Sequence, residues 1–80
     1  MKKQVDLVKK FLADNDSVTE EELRVNQDDA AADWDSEAAA EAAEAALWAF
    51  RAAESDKLEN AEHYKKLAIE AIAKYEELTK

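Results

Sequence analysis

Eighty residues with no cysteine, no glycine, no proline and one histidine make a single small domain at most, and they exclude a disulfide framework and a histidine–cysteine metal centre. A chain without glycine or proline lacks the residues that tight hairpins require, which argues against a β-rich fold. The formal net charge of −9 argues against nucleic acid as a direct ligand, and the longest apolar run outside the alanines, Ala45 to Phe50, is far short of the ~20 residues that span a bilayer.

The first predicted element is a helix from about Lys2 to Ala13, with Val5, Val8, Phe11 and Leu12 on one face. Asp6, Lys9 and Lys10 interrupt the stretch after Met1, Lys2 and Lys3, so no export signal is read and a cytoplasmic location is expected. Asp14, Asn15, Asp16 and Ser17 favour a turn, with Asn15 suited to the left-handed conformation. A second helix starts at Thr19, which has capping-box spacing to Glu22, while Val18 and Leu23 occupy the hydrophobic-staple positions. Asn26, Gln27, Asp28 and Asp29 suggest that this helix ends after two turns.

The alanine-rich stretch from Ala30 to Ala53 predicts a long helix, and Asp33, Asp35 or Ser36 would cap it if it begins near Glu37. Ser55, Asp56 and Lys57 mark the next turn, Asp56 and Glu59 have capping-box spacing, and a last helix runs to Leu78, with Asn60 as a rival start. Ala61, Tyr64, Ala68, Ala71, Tyr75 and Leu78 recur at spacings of three and four, flanked by Leu67, Ile69 and Ile72. Such a seam packs against the alanine-rich helix as an antiparallel hairpin from about Glu37 to Leu78. The expected fold is therefore an all-α bundle of three to four helices, with the N-terminal helices folded on the hairpin. The alanines and Tyr64 of the hairpin loosely resemble tetratricopeptide and related helix-pair repeats, although the spacing departs from that consensus and only one unit would fit.

Charge is distributed unevenly. Residues 1–13 carry a net +3, residues 14–44 a net −11, and residues 45–80 a net −1. An acidic block opposes compaction by self-repulsion, so it either confers solubility or serves as a surface for a basic partner. Glu37, Glu41, Glu44 and Trp48 fall within one arc of the long helix at about 100° per residue, and Asp28, Asp29, Asp33, Trp34 and Asp35 would extend the same face. Trp48 is a contact residue if it is exposed there, and a core residue if the N-terminal helix covers it.

Other constellations carry less. Asp33, Asp35, Glu37, Glu41 and Glu44 match positions 1, 3, 5, 9 and 12 of a calcium loop, but Ala38 stands where that loop needs glycine. His63 has no second histidine and no cysteine with which to hold a metal or activate a nucleophile. No cofactor, metal or catalytic residue is expected. The reading is a non-enzymatic protein whose acidic face engages a basic, nucleic-acid-binding surface of a partner protein. By analogy of size and charge, the setting is that of a phage anti-CRISPR or antirestriction factor. The alternative is a self-associating helical scaffold, possible as a homodimer through the alanine and tyrosine seam, whose acids only solubilise.

Overall fold

The computed structural model describes residues 2–32 and 36–80. It contains four α-helices, α1 (Lys2–Ala13), α2 (Glu20–Ala31), α3 (Glu37–Glu54) and α4 (Leu58–Leu78), with a turn of 3-10 helix at Asn15–Ser17. No strand occurs among the described residues. The predicted all-α bundle with a C-terminal hairpin is the observed architecture. Among the described residues no helix is long and apolar enough to cross a membrane.

The connection between α1 and α2 is built by side chains that satisfy the backbone. Asp14 Oδ1 accepts from the Asp16 N–H at 3.1 Å, and Ser17 Oγ donates to the Asp14 carbonyl at 2.7 Å. No residue here has positive φ, so Asn15 enters the 3-10 turn instead of the expected left-handed conformation. Thr19 and Glu22 then form the full capping box, each at 3.1 Å, and Val18 and Leu23 are both buried as a staple.

Helix α2 runs for three turns instead of the two expected, because its polar cluster has a helical role. Asn26 is buried and its Nδ2 donates to the Gln4 carbonyl of α1 at 3.1 Å. The side chain that reads as a turn signal thus ties α2 to α1. Helix α3 begins where Ser36 Oγ accepts from the Ala39 N–H at 3.1 Å, one of the predicted starts. At the head of α4 the predicted Asp56–Glu59 capping box does not form, nor does the helix start at Asn60. The N-cap is Lys57, without a side-chain bond, and Ser55 Oγ instead donates to the Lys57 carbonyl at 3.0 Å.

Helix α3 is the centre of the molecule. It buries Ala39, Ala42, Ala43, Ala45, Ala46, Ala49 and Ala52. Helix α4 lies antiparallel to it, as shown by the Trp48–Tyr64 contact near one end and the electrostatic coupling of Glu41 to Lys74 near the other. Helix α2 flanks α3 on another side, with Glu20 and Glu21 beside Phe50 and Glu54. Helix α1 lies across these elements and contributes Val5, Val8 and Phe11 to the core. The predicted seam of α4 buries Ala68, Ala71 and Ile72 and half-buries Ala61, Tyr64 and Tyr75, but Ile69 and Leu78 are exposed. An ion pair at 2.9 Å between Lys9 and Glu76 spans α1 and α4, but it is exposed and screened by solvent.

Replacing Asn26 by alanine separates local from tertiary effects. Helix propensity alone favours alanine by about 0.5 kcal/mol, whereas loss of the buried bond to Gln4 costs about 1–2 kcal/mol. Urea denaturation of Asn26→Ala is expected to show a net loss of stability. A gain would mean that the contact with α1 carries no energy.

Candidate functional site

The candidate site grows from one property of α3: alanines cover the sides that meet α1, α2 and α4, and one side is left without a helix. At 100° per residue, Ala40, Glu44, Leu47, Arg51 and Glu54 lie along that side, with Glu37 and Trp48 at its α4 edge. Glu37, Glu44, Arg51 and Glu54 are exposed, and Ala40, Leu47 and Trp48 are half-buried. At the C-terminal end of this stripe lies an open cleft of about 610 Å³, lined from α2 by Gln27, from α3 by Leu47, Phe50, Arg51 and Glu54, from the α3–α4 turn by Ser55, Asp56 and Lys57, and from α4 by Asn60 and Tyr64.

Trp48 is neither buried under α1 nor free in solvent. Its ring stacks on Tyr64 of α4, with centroids 5.7 Å apart and planes 10° from parallel, and the Arg51 guanidinium lies 5.7 Å from its centroid. Such contacts orient the ring while leaving part of it accessible, an arrangement suited to a binding anchor.

The predicted site residues separate into three groups. Glu37, Glu41, Glu44 and Trp48 share one side of α3 as expected, although Glu41 is turned toward α4 and half-buried. Asp28 and Asp29 are exposed on α2, but consecutive helical residues point about 100° apart. Asp28 lies on the flank of Glu21 and Arg24, where Arg24 Nη1 bonds to it at 3.2 Å, while Asp29 shares the flank of Glu22, which feels the charge of Lys10. They do not present one face. Asp33, Trp34 and Asp35 lie outside the described residues. The later positions of the calcium-loop pattern, Glu37 to Glu44, are regular helix, and among the described residues no group of carboxylates is arranged to hold a metal ion.

The cleft is the feature that sequence reasoning missed. Gln27 and Asn60 carry no pattern of their own, and the lining comes from three helices and a turn, so no spacing within one segment signals it.

Electrostatics divide the acidic block. Burial raises the pKa of Glu41 above the ordinary carboxylate value, and the charges of Glu44 and Glu37 add to this, while Lys74 acts against it. Its Oε2 is buried without a hydrogen-bond partner. Glu21 is lowered by its bond to Arg24, and Glu22 by the Thr19 N–H it accepts in the capping box. These shifts oppose one another. The contribution of a raised carboxyl is fully present below its unfolded value, ~4.3, and is lost as pH rises through the folded value. That of a lowered carboxyl is present above the unfolded value and is lost as pH falls through the folded one. Carboxylate crowding therefore does not set the pH dependence of the whole block; at Glu41 it adds to the larger effect of burial.

Glu41→Gln is expected to raise stability at pH 7 by about 0.5–1 kcal/mol, since a neutral amide replaces a partly desolvated carboxylate. The gain should shrink toward zero at pH 4, where Glu41 is itself protonated. Thermal melts of both proteins from pH 4 to pH 7 check this; a constant difference across that range would contradict it.

Comparison with protein-family models, with curated proteins and with solved structures finds no match, so the functional reading rests on the geometry and charge of this face.

Proposed function

We propose that this chain is a non-enzymatic binding protein that inhibits or modulates a partner protein by covering its basic, nucleic-acid-binding surface with the acidic face of α3 and the adjoining flank of α2. The observation that carries this reading is the exposure of Glu37 and Glu44 beside a half-buried Trp48 whose ring is held by Tyr64. Negative charge gathered on one surface accelerates approach to a cationic site, and an oriented aromatic ring slows departure from it. Among the described residues no ion pair joins a lysine of α1 to Glu37 or Glu44, and Lys9 pairs with Glu76 of α4. The setting that suits such a small acidic chain is blockade of a host nucleic-acid enzyme, as anti-CRISPR and antirestriction factors achieve it, in the cytoplasm.

A second reading is self-association as a scaffold, with the acids serving solubility. It is favoured by Ile69, which is 55 % exposed and lines, with Leu12 and Ile72, a cleft of about 270 Å³ between α1 and α4.

Capture from a cell lysate at low and high salt, followed by binding kinetics on the partner recovered, distinguishes the two. The first reading predicts a salt-sensitive partner with a nucleic-acid groove. Glu37→Lys with Glu44→Lys should slow association and flatten its salt dependence, and Trp48→Ala should chiefly speed dissociation, at a cost of ~2 kcal/mol. Glu41 is left intact because its side chain is half-buried against α4. If the folded lysine variant binds with unchanged affinity and salt dependence, the acidic face is solvated surface and the reading fails.

A further inference from the structure

We infer that the outward side of α4 is a self-complementary surface, on which a second copy of this chain packs its own α4 antiparallel about a twofold axis at the level of Ala71. This rests on the self-associating reading and gives it a surface and a register. It leaves the acidic face of α3 open, so it holds whether or not that face has a partner.

The apolar part of the surface has the shape of a helix contact. Ile69 is 55 % exposed, and beside it the cleft of about 270 Å³ is lined by Ile69, Ile72, Ala73 and Glu76 of α4, with Lys9 and Leu12 of α1 at its rim. Positions i, i+3, i+4 and i+7 of one helix are the four that form a hole for a side chain of a helix packed alongside. In an antiparallel pair centred at Ala71, each residue faces the one equally far on the other side of that centre. Ile69 of each copy therefore lies over Ala73 of the other and enters the hole, where the small side chain of Ala73 leaves room. The axis makes the contact reciprocal.

Charge fixes the register and selects the occupant. Glu62, Lys66, Ile69, Ala73 and Glu76 recur at alternating spacings of four and three, and all five are exposed. They lie about 150° around α4 from the buried Ala68 and Ala71, which meet α3. Centred at Ala71, the pairing sets Lys66 against Glu76, and Glu62 against Lys80 just past the end of the helix, each twice by symmetry. Glu76 keeps its bond to Lys9 at 2.9 Å and has a second oxygen for Lys66 of the other copy. Centring the pair one turn earlier puts Glu59 against Glu76 and Lys66 against Ile69, and a parallel pair puts every charge against its own kind. The two glutamates and two lysines of the stripe cancel, although the chain carries −9. A strongly charged partner finds little field there, whereas a second copy finds its complement.

Sedimentation equilibrium on the full chain, across micromolar to millimolar concentrations, is expected to show a monomer–dimer equilibrium. Ile69→Lys should weaken it by at least about tenfold with helical circular dichroism retained. Lys66→Glu and Glu76→Lys should each weaken it alone, the second even though it lowers the general repulsion between copies. An equimolar mixture of these two variants should dimerise at least about tenfold more tightly than either one, because in the mixed pair every charge at the two positions again meets its opposite. Monomer at all concentrations would overturn the inference together with the self-associating reading. A dimer that Ile69→Lys leaves unchanged would overturn this surface but not self-association. A mixture no tighter than its parts would overturn the antiparallel register, and the inference with it.

Discussion

Alanine at the centre of a helical bundle is the constraint on which the rest of this molecule depends. A helix that presents Ala42, Ala45, Ala46 and Ala49 to its neighbours can be approached closely on several sides, and the alanines lose no side-chain entropy in doing so. Each buries little area, however, so the bulk of the core must come from elsewhere. Val5, Val8 and Phe11 of α1 and Leu23 of α2 supply it, and the stacked Trp48 and Tyr64 close one edge of the hairpin. With α1, α2 and α4 arranged around α3, one side remains, and that side carries the carboxylates of Glu37 and Glu44. Packing and charge are therefore two faces of one helix: the buried alanines lie where helices meet, and Glu37 and Glu44 where none does, with Glu41 at the boundary beside α4.

The polar contacts confirm how much depends on tertiary context. Asn26, a weak helix former, is retained in α2 because its amide satisfies the Gln4 carbonyl across the α1–α2 contact. Glu41 has the opposite character. Its carboxyl is drawn partly out of water beside α4 with an oxygen unpartnered, so the acidic stripe includes one member that works against the fold at neutral pH.

Much of the architecture is legible in the sequence, and the reasons are local. The capping box at Thr19 and the cap at Ser36, one of two starts open for the long helix, follow from hydrogen bonds within one turn of chain, which residue type and spacing encode directly. The readings that failed needed distant partners. Asn26 looked like a terminator because Gln4 is 22 residues away in the chain. Asp56 looked like a cap, but the helix begins one residue later and Ser55 closes the turn. Trp48 lay between exposed and core in the sequence because its cover comes from Tyr64 on α4, not from the N-terminal helix. The acidic arc of α3 is readable from helical geometry, whereas the cleft at the C-terminal end of α3 is not, since its lining belongs to three helices and the α3–α4 turn, whose relative placement no single segment specifies.

Helix α3 is buried on its alanine sides and open along its acidic side, and because the sequence holds no cysteine, introduced cysteines report on both. Single cysteines placed at Ala45, Ala49, Glu44 and Leu47 can be timed for reaction with a thiol reagent under native conditions. This arrangement implies fast labelling for Glu44→Cys, intermediate labelling for Leu47→Cys, and labelling of Ala45→Cys and Ala49→Cys only through unfolding. Protection of Glu44→Cys comparable to that of Ala49→Cys, or equal rapid labelling at all four positions, would contradict it.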